Sequence, residues 1–137
     1  MAMTEHARAT ADACYMIDTG AQRFRAHDTA DFWPKLMAGE IEGEALVSFF
    51  RMESDFPHWE MHPEGDELFV LHSGEIEVVL EQDGAETVFR LKARQTCVIP
   101  RGTWHFAYCI APGDLTVITF GEGTQHRAVD GAPGSAA

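Results

Sequence analysis

The stretch His58–Glu67, HWEMHPEGDE, holds two imidazoles and four carboxylates in ten residues. Groups of this kind at this density either converge on a cation or lie in an exposed acidic hairpin. Along a strand, residues two apart point to the same face, so Glu60 and His62 project together. Pro63-Glu-Gly-Asp66 has turn composition and lets the chain reverse, which brings Glu67 to the start of the next strand, ELFVLH (67–72). Glu67, Phe69 and Leu71 share a face of that strand; turned inward, it sets Glu67 level with His62. Buried carboxylates and imidazoles without partners cost several kcal/mol, so they need mutual hydrogen bonds or a cation. A divalent ion meets that need and keeps positions open for water or a substrate. His58 shares the face of Glu60 and His62, but strand rise sets its Cα roughly 13 Å from that of His62. One ion does not reach both, so Glu60 ranks above His58 as a ligand. His58 reads instead as a rim residue and a candidate proton-transfer group, because imidazole titrates near neutrality.

The elements that must position these groups are strands. ALVSFFRM (45–52) is rich in β-branched and aromatic residues. GEIEVVLEQ (74–82) alternates, with Ile76, Val78 and Leu80 on one face and Glu75, Glu77 and Glu81 on a solvated one. Asp83-Gly84 suits a tight hairpin into ETVFRLK (86–92). TCVIP (96–100), HFAYCI (105–110) and DLTVITF (114–120) follow, separated by Pro100-Arg-Gly102 and Pro112-Gly113. So many short strands with short connections predict an all-β, closed or two-sheet antiparallel barrel. TADFWPKLMAG (29–39) predicts one short helix, capped by Thr29 or Asp31, stopped at Gly39, with Pro34 in or near its first turn.

At 137 residues the chain has the size of one domain. A formal charge of −12 argues against nucleic acid and anionic membrane surfaces as partners. Cys14, Cys97 and Cys109 are odd in number and lack metal-type spacing, which fits a reducing cytoplasm. The N-terminus has no signal-peptide pattern and no apolar run is long enough to cross a bilayer. Residues 1–12 read as a flexible arm, 13–127 as the domain, and 128–137 as a flexible tail.

These residues resemble the cupin superfamily. Its first motif runs Gly-x5-His-x-His-x3-4-Glu-x6-Gly, and His62, Glu67 and Gly74 match its second half in identity and spacing. PRGTWH (100–105) resembles the second motif, Gly-x5-Pro-x-Gly-x2-His-x3-Asn, through Pro100, Gly102 and His105. The two span roughly residues 54–109. The resemblance implies a jelly-roll barrel with a divalent ion inside, held by His62, Glu67 and His105, and a homodimer. Ala45–Phe50 is the expected contact region. The sequence departs from the motifs at Ser54 and Arg94, where they have glycine, at Cys109, where they have asparagine, and at Glu60, where they have the first histidine. Glu60 is the consequential change. A Glu-His-Glu-His set suits Mn²⁺, Fe²⁺ or Zn²⁺, with Ni²⁺ also accommodated. Its other reading is a carboxylate that orients a water or a histidine from behind.

Trp59 and Trp104 read as packing residues or as walls of an apolar pocket, and Cys109 as a small buried hydrophobe that alternates with His105. His6, His27, His72 and His126 read as surface residues. FGEGTQHR (120–127) reads as a loop that either stays free or folds over a barrel mouth. No nucleophile elbow, phosphate loop, dinucleotide fingerprint or Cys-x-x-Cys pair is present. Two functions follow from the resemblance. The first is a metal-dependent enzyme of dioxygenase, isomerase or decarboxylase type, acting on a small oxygenated organic molecule in the barrel. The second is a non-catalytic cupin that binds or senses a small ligand, with or without a metal.

Overall fold

The computed structural model describes residues 6–129. Residues 1–5 of the expected arm and 130–137 of the expected tail lie outside the described residues. The first elements are a hairpin, β1 (Ala13–Asp18) and β2 (Arg23–Asp28), and the helix α1 (Thr29–Met37). The strands β3 (Ala45–Met52), β4 (Trp59–Met61), β5 (Glu67–Leu71), β6 (Glu75–Gln82) and β7 (Ala85–Lys92) follow. The chain continues through β8 (Gln95–Ile99), β9 (Trp104–Ala111), β10 (Gly113–Phe120) and β11 (Gln125–Arg127).

Alternation does what the pattern requires in β6, where Ile76 and Val78 are fully buried and Glu75 and Glu77 point outward to Arg90. Asp83 and Gly84 both take positive φ, 54° and 80°, the geometry that matches the twist of the strands it joins. All strand pairs are antiparallel and form two sheets, ordered β2-β1-β3-β10-β5-β8 and β11-β4-β9-β6-β7. Met52, Phe69, Leu71, Ile99, Leu115 and Val117 from the first sheet pack against Ile76, Val78, Leu91 and Ala107 from the second. That shared core makes the architecture a jelly roll rather than two separate layers. Truncation of Leu71, which is completely buried, to alanine removes about 2–5 kcal/mol.

Two expectations are corrected. The β1–β2 hairpin precedes the helix and extends the first sheet, although no strand was expected before Ala45. The helix begins after Asp28, which makes no side-chain cap, while the Thr29 hydroxyl donates to the Ala11 carbonyl. Pro34 is the sixth helical residue, beyond the first turn, so it removes one intrahelical bond. β3 lies between β1 and β10 with both edges paired. Ala45–Phe50 therefore has no free backbone edge, so a contact with a second chain there would be made through side chains such as the exposed Phe50.

Residues 8–12 are tied down by the Arg8–Asp28 ion pair and by the Thr29 amide, which donates to the Asp12 carbonyl. No helix among the described residues is long and apolar enough to cross a membrane.

Candidate metal centre

Four side chains from three strands and one turn meet at one end of the jelly roll. Glu60 on β4 pairs with His105 on β9 in the sheet register, which puts both on the inward face. His62 follows β4 by one residue, and Glu67 opens β5 after the Pro63–Asp66 turn. One ligand atom from each of Glu60, His62, Glu67 and His105 lies within 4.8 Å of the others. His62, Glu67 and His105 are buried, and Glu60 is partly open, with its side chain 30% exposed.

The carboxylate of Glu67 sits between the imidazoles. Oε1 lies 3.0 Å from His105 Nε2 and Oε2 lies 3.0 Å from His62 Nε2. Neither contact follows the line of a ring N–H, so both Nε2 atoms are buried without a hydrogen-bond partner. Among the described residues only one other buried side-chain polar atom shares that condition, Nε2 of His27. Two orphaned nitrogens aimed at one carboxylate are what an ion between them would satisfy.

The ring nitrogens on the far side are engaged. His105 Nδ1 lies 3.3 Å from the carbonyl oxygen of Thr103, which can only accept, so Nδ1 donates there and Nε2 is the nitrogen turned toward Glu67. His62 Nδ1 is hydrogen-bonded to Thr124 Oγ1 at 2.9 Å. The Thr119 hydroxyl donates to Glu67 Oε2 at 2.5 Å. Such outer partners fix ring orientation and tautomer in metal sites.

Electrostatics agree with the geometry. Burial works to raise the Glu67 pKa, but the contacts with His105 and His62 outweigh it and hold the carboxyl down to about 2. For His62, burial works to lower the pKa, and the carboxylates of Glu67 and then Glu60 outweigh it, so the net shift is upward. The cluster thus stores negative charge that attracts either a proton or a cation. The nearby Cys97 thiol is pushed up to about 11 by burial and by Glu67, which makes it unreactive.

The fold matches oxalate decarboxylase from Bacillus subtilis, at a TM-score of 0.54 and 17% sequence identity. The chain has the cupin fold. The match covers 61% of this chain and 23% of the decarboxylase, so the chain corresponds to about a quarter of that enzyme's length. A cupin-2 domain protein from Shewanella frigidimarina aligns over 59% of this chain and 74% of its own, with 20% identity and a TM-score of 0.49, too low to add weight. No protein-family profile matches the chain. No curated protein matches it in sequence.

Within the cupin fold the motif positions behave unequally. Gly74 has φ 80°, and a Cβ there would lie 2.5 Å from the carbonyl oxygens of Ala111 and Pro112. At the position where the motif has glycine, Arg94 is held at φ 71° by its amide, which donates to the Leu71 carbonyl. Cys109 replaces the motif asparagine and packs partly buried against the core, with its amide bonded to Asp55.

The remaining expectations sort by face. Trp59 and Trp104 point away from the interior and sandwich the guanidinium of Arg127, 4.9 and 4.7 Å from the ring centres, so they wall no pocket inside the barrel. A groove of about 260 Å³ on that outer face, lined by Trp59, Val79, Val88, Phe106 and Tyr108, lies on the side of the sheet opposite the cluster. His27 is half-buried against Phe32, and His72 is bonded to Thr116.

Residues 120–127 fold over the mouth, with Gln125–Arg127 paired to β4 as β11. His126 stands opposite Glu60 and is not an isolated surface residue. His58 reaches Glu60 too, with Nε2 3.6 Å from Oε2. Sequence reasoning missed Thr103, Thr119, Thr124 and His126. A hydroxyl or a carbonyl behind a histidine leaves no trace in spacing, because the contact is made by chain segments far apart.

Proposed function

We propose that this protein is a metal-dependent enzyme of the cupin fold, acting on a small oxygenated organic molecule that binds through its oxygens. The observation that carries the reading is the pair of buried, unpartnered Nε2 atoms on either side of Glu67. His62, His105 and Glu67 would hold a divalent ion, with Glu60 as a further ligand at the solvent side. A bound divalent ion supplies Lewis acidity toward ligand oxygens and makes a bound water more acidic. Glu67 is ionised at neutral pH and needs to lose no proton to serve. His105 would offer Nε2 to the ion, because its Nδ1 is taken up by the Thr103 carbonyl. Phe69, itself buried, packs edge-on against His105, its ring centre 6.0 Å away, and gives the site an apolar neighbour. Access comes from the side of Glu60, where exposure rises.

Hard carboxylate oxygens beside imidazoles favour Mn²⁺, Fe²⁺ or Zn²⁺. The Mn(II) centres of the B. subtilis oxalate decarboxylase make Mn²⁺ the first ion to test. The reading includes a homodimer, checked by light scattering as a mass near twice 15.2 kDa. It also includes a cytoplasmic location, supported by three free cysteines.

Elemental analysis of protein purified without chelators or a nickel column tests the site. At least one equivalent of ion per chain, lost in His62→Ala and His105→Ala, supports the proposal, and metal-free wild type removes it. Oxygen uptake and product formation against diols, keto acids, catechols and small carboxylates test the enzyme assignment. Tight ligand binding without turnover overturns it in favour of a sensor.

A further inference from the structure

Glu60 faces two groups of histidines with two different oxygens. Oε1 lies 3.8 Å from His62 Nε2, on the buried side. Oε2 lies 3.6 Å from His58 Nε2 and 3.5 Å from His126 Nε2, on the mouth side. None of the three contacts is a directed hydrogen bond. The ligand atoms of His58, Glu60 and His126 lie within 4.8 Å of one another and form a second group able to hold a cation, sharing only Glu60 with the first.

Two ligands of one divalent ion, each about 2.0–2.2 Å from it, stand roughly 3–3.5 Å apart at octahedral or tetrahedral angles. The His126–Glu60 separation lies at the upper edge of that interval and the His58–Glu60 separation just beyond it, both too long for good hydrogen bonds. The rings of His58 and His126 meet edge to face, their centres 4.3 Å apart, with both Nε2 atoms near the same carboxylate oxygen. The backbone supports the arrangement. His126, Glu60 and His105 occupy matching positions on β11, β4 and β9, one row across the sheet.

From this we infer that the protein binds two divalent ions, one buried and one at the mouth, with Glu60 bridging them. The inference rests on the metal reading of the buried cluster and adds a site to it. It accounts for two features that a single ion leaves unexplained. His58 and His62 are too far apart along the chain to share an ion, and here each serves its own. A histidine at position 60 would offer one nitrogen to one ion, whereas a carboxylate offers an oxygen to each. The mouth ion has three protein ligands from partly open side chains and keeps positions free for a ligand. Two divalent ions against the two carboxylates Glu60 and Glu67 leave net positive charge, so the ligand that completes the pair is a small oxyanion.

The test uses the intact protein, stripped by chelator, dialysed and reloaded with Mn²⁺ alone. Wild type is expected to bind two equivalents and to show the exchange-broadened paramagnetic resonance of a coupled pair. His126→Gln and His58→Ala are expected to bind one and to show the resolved lines of an isolated ion. Glu60→His is expected to retain the buried ion and lose the coupling. Thermal melting of the metal-free variants near that of wild type establishes that they fold. A wild type with one uncoupled ion, unaffected by His126→Gln but lost in His62→Ala, overturns the second site and leaves the buried one standing. A wild type with no ion overturns both.

Discussion

The two halves of the cluster are built differently. On the inner side, His62, Glu67 and His105 are buried, and each is braced by a second partner: Thr124, Thr119 and Thr103. On the mouth side, His58 and His126 are 37% and 49% exposed, and their only close polar partner in the cluster is Glu60. The inner half comes from β5, β9 and the turn after β4, all locked by the core, while the mouth half depends on the bend before β4 and on a three-residue strand. The contrast teaches that burial and bracing, rather than residue type, decide which histidines are preorganised. The inner group is therefore expected to keep its geometry when an ion binds, and the mouth group to rearrange more easily.

The sharpest break of that comparison is a pair of truncations. His105→Ala leaves Glu67 buried without one of its two imidazoles and is expected to cost about 3–5 kcal/mol of unfolding free energy. His126→Ala, at a half-exposed position, is expected to stay within about 0.5 kcal/mol of wild type. Equal losses in urea titration of the two metal-free variants contradict the distinction.

Acidity gives the next effect. Without metal, the raised His62 pKa contributes stability that is full below its ordinary value of 6.5 and lost as pH rises through the elevated one. Glu67 contributes stability above 4.5 that is lost as pH falls through about 2. Metal-free protein is therefore stabilised most by this pair between those two ordinary values, losing the His62 part as pH rises above 6.5 and the Glu67 part as pH falls below 4.5. With metal the slope reverses, because the ion needs His62 deprotonated, and affinity is expected to fall about tenfold per pH unit below the raised pKa. Melting curves from pH 6 to 9, with and without Mn²⁺, read the sign directly.

Bracing comes third. Thr124→Val keeps the shape but removes the partner of His62 Nδ1, with an expected loss of about 10–100-fold in metal affinity by competition with a fluorescent chelator. Unchanged affinity means that the bond does not orient the ring.

The strap that carries Thr124 and His126 turns on Gly121, at φ 87°, where a Cβ would lie 2.5 Å from that of Glu64. Gly121→Ala combines a strained backbone with that clash and is expected to cost about 1–3 kcal/mol, and to loosen the mouth before the core. Hydrogen exchange at β11 rising ahead of β9 checks this. Smallest is Arg94→Gly, which relieves a positive φ and is expected to stabilise by about 1 kcal/mol in thermal melts, against no change if Arg94 is unstrained.

The legible part of the molecule was the part written in local pattern. Alternation in β6, the Asp83-Gly84 turn and the spacing of His62, Glu67 and Gly74 carried the jelly roll and brought four acidic and imidazole groups into view. The illegible part depends on pairing between distant segments. Gln125–Arg127 is three polar residues with no period, and it becomes a strand only because β4 offers an edge. The fate of His126 follows from that pairing, as does the role of Thr124. The β1 segment, Ala13–Asp18, is apolar enough for a strand, but its place between β2 and β3 is a tertiary fact. Glu60 was visible as a departure, yet the presence of a histidine on each side of its carboxylate was not.

The most direct test of the account is a crystal structure of Mn²⁺-loaded protein with anomalous data at the manganese edge. The account predicts a peak in the gap bounded by His62 Nε2, His105 Nε2 and the Glu67 carboxylate, within coordination distance of all three. Either a map flat at that point in fully loaded crystals, or the imidazoles of His62 and His105 turned away from Glu67, would contradict it.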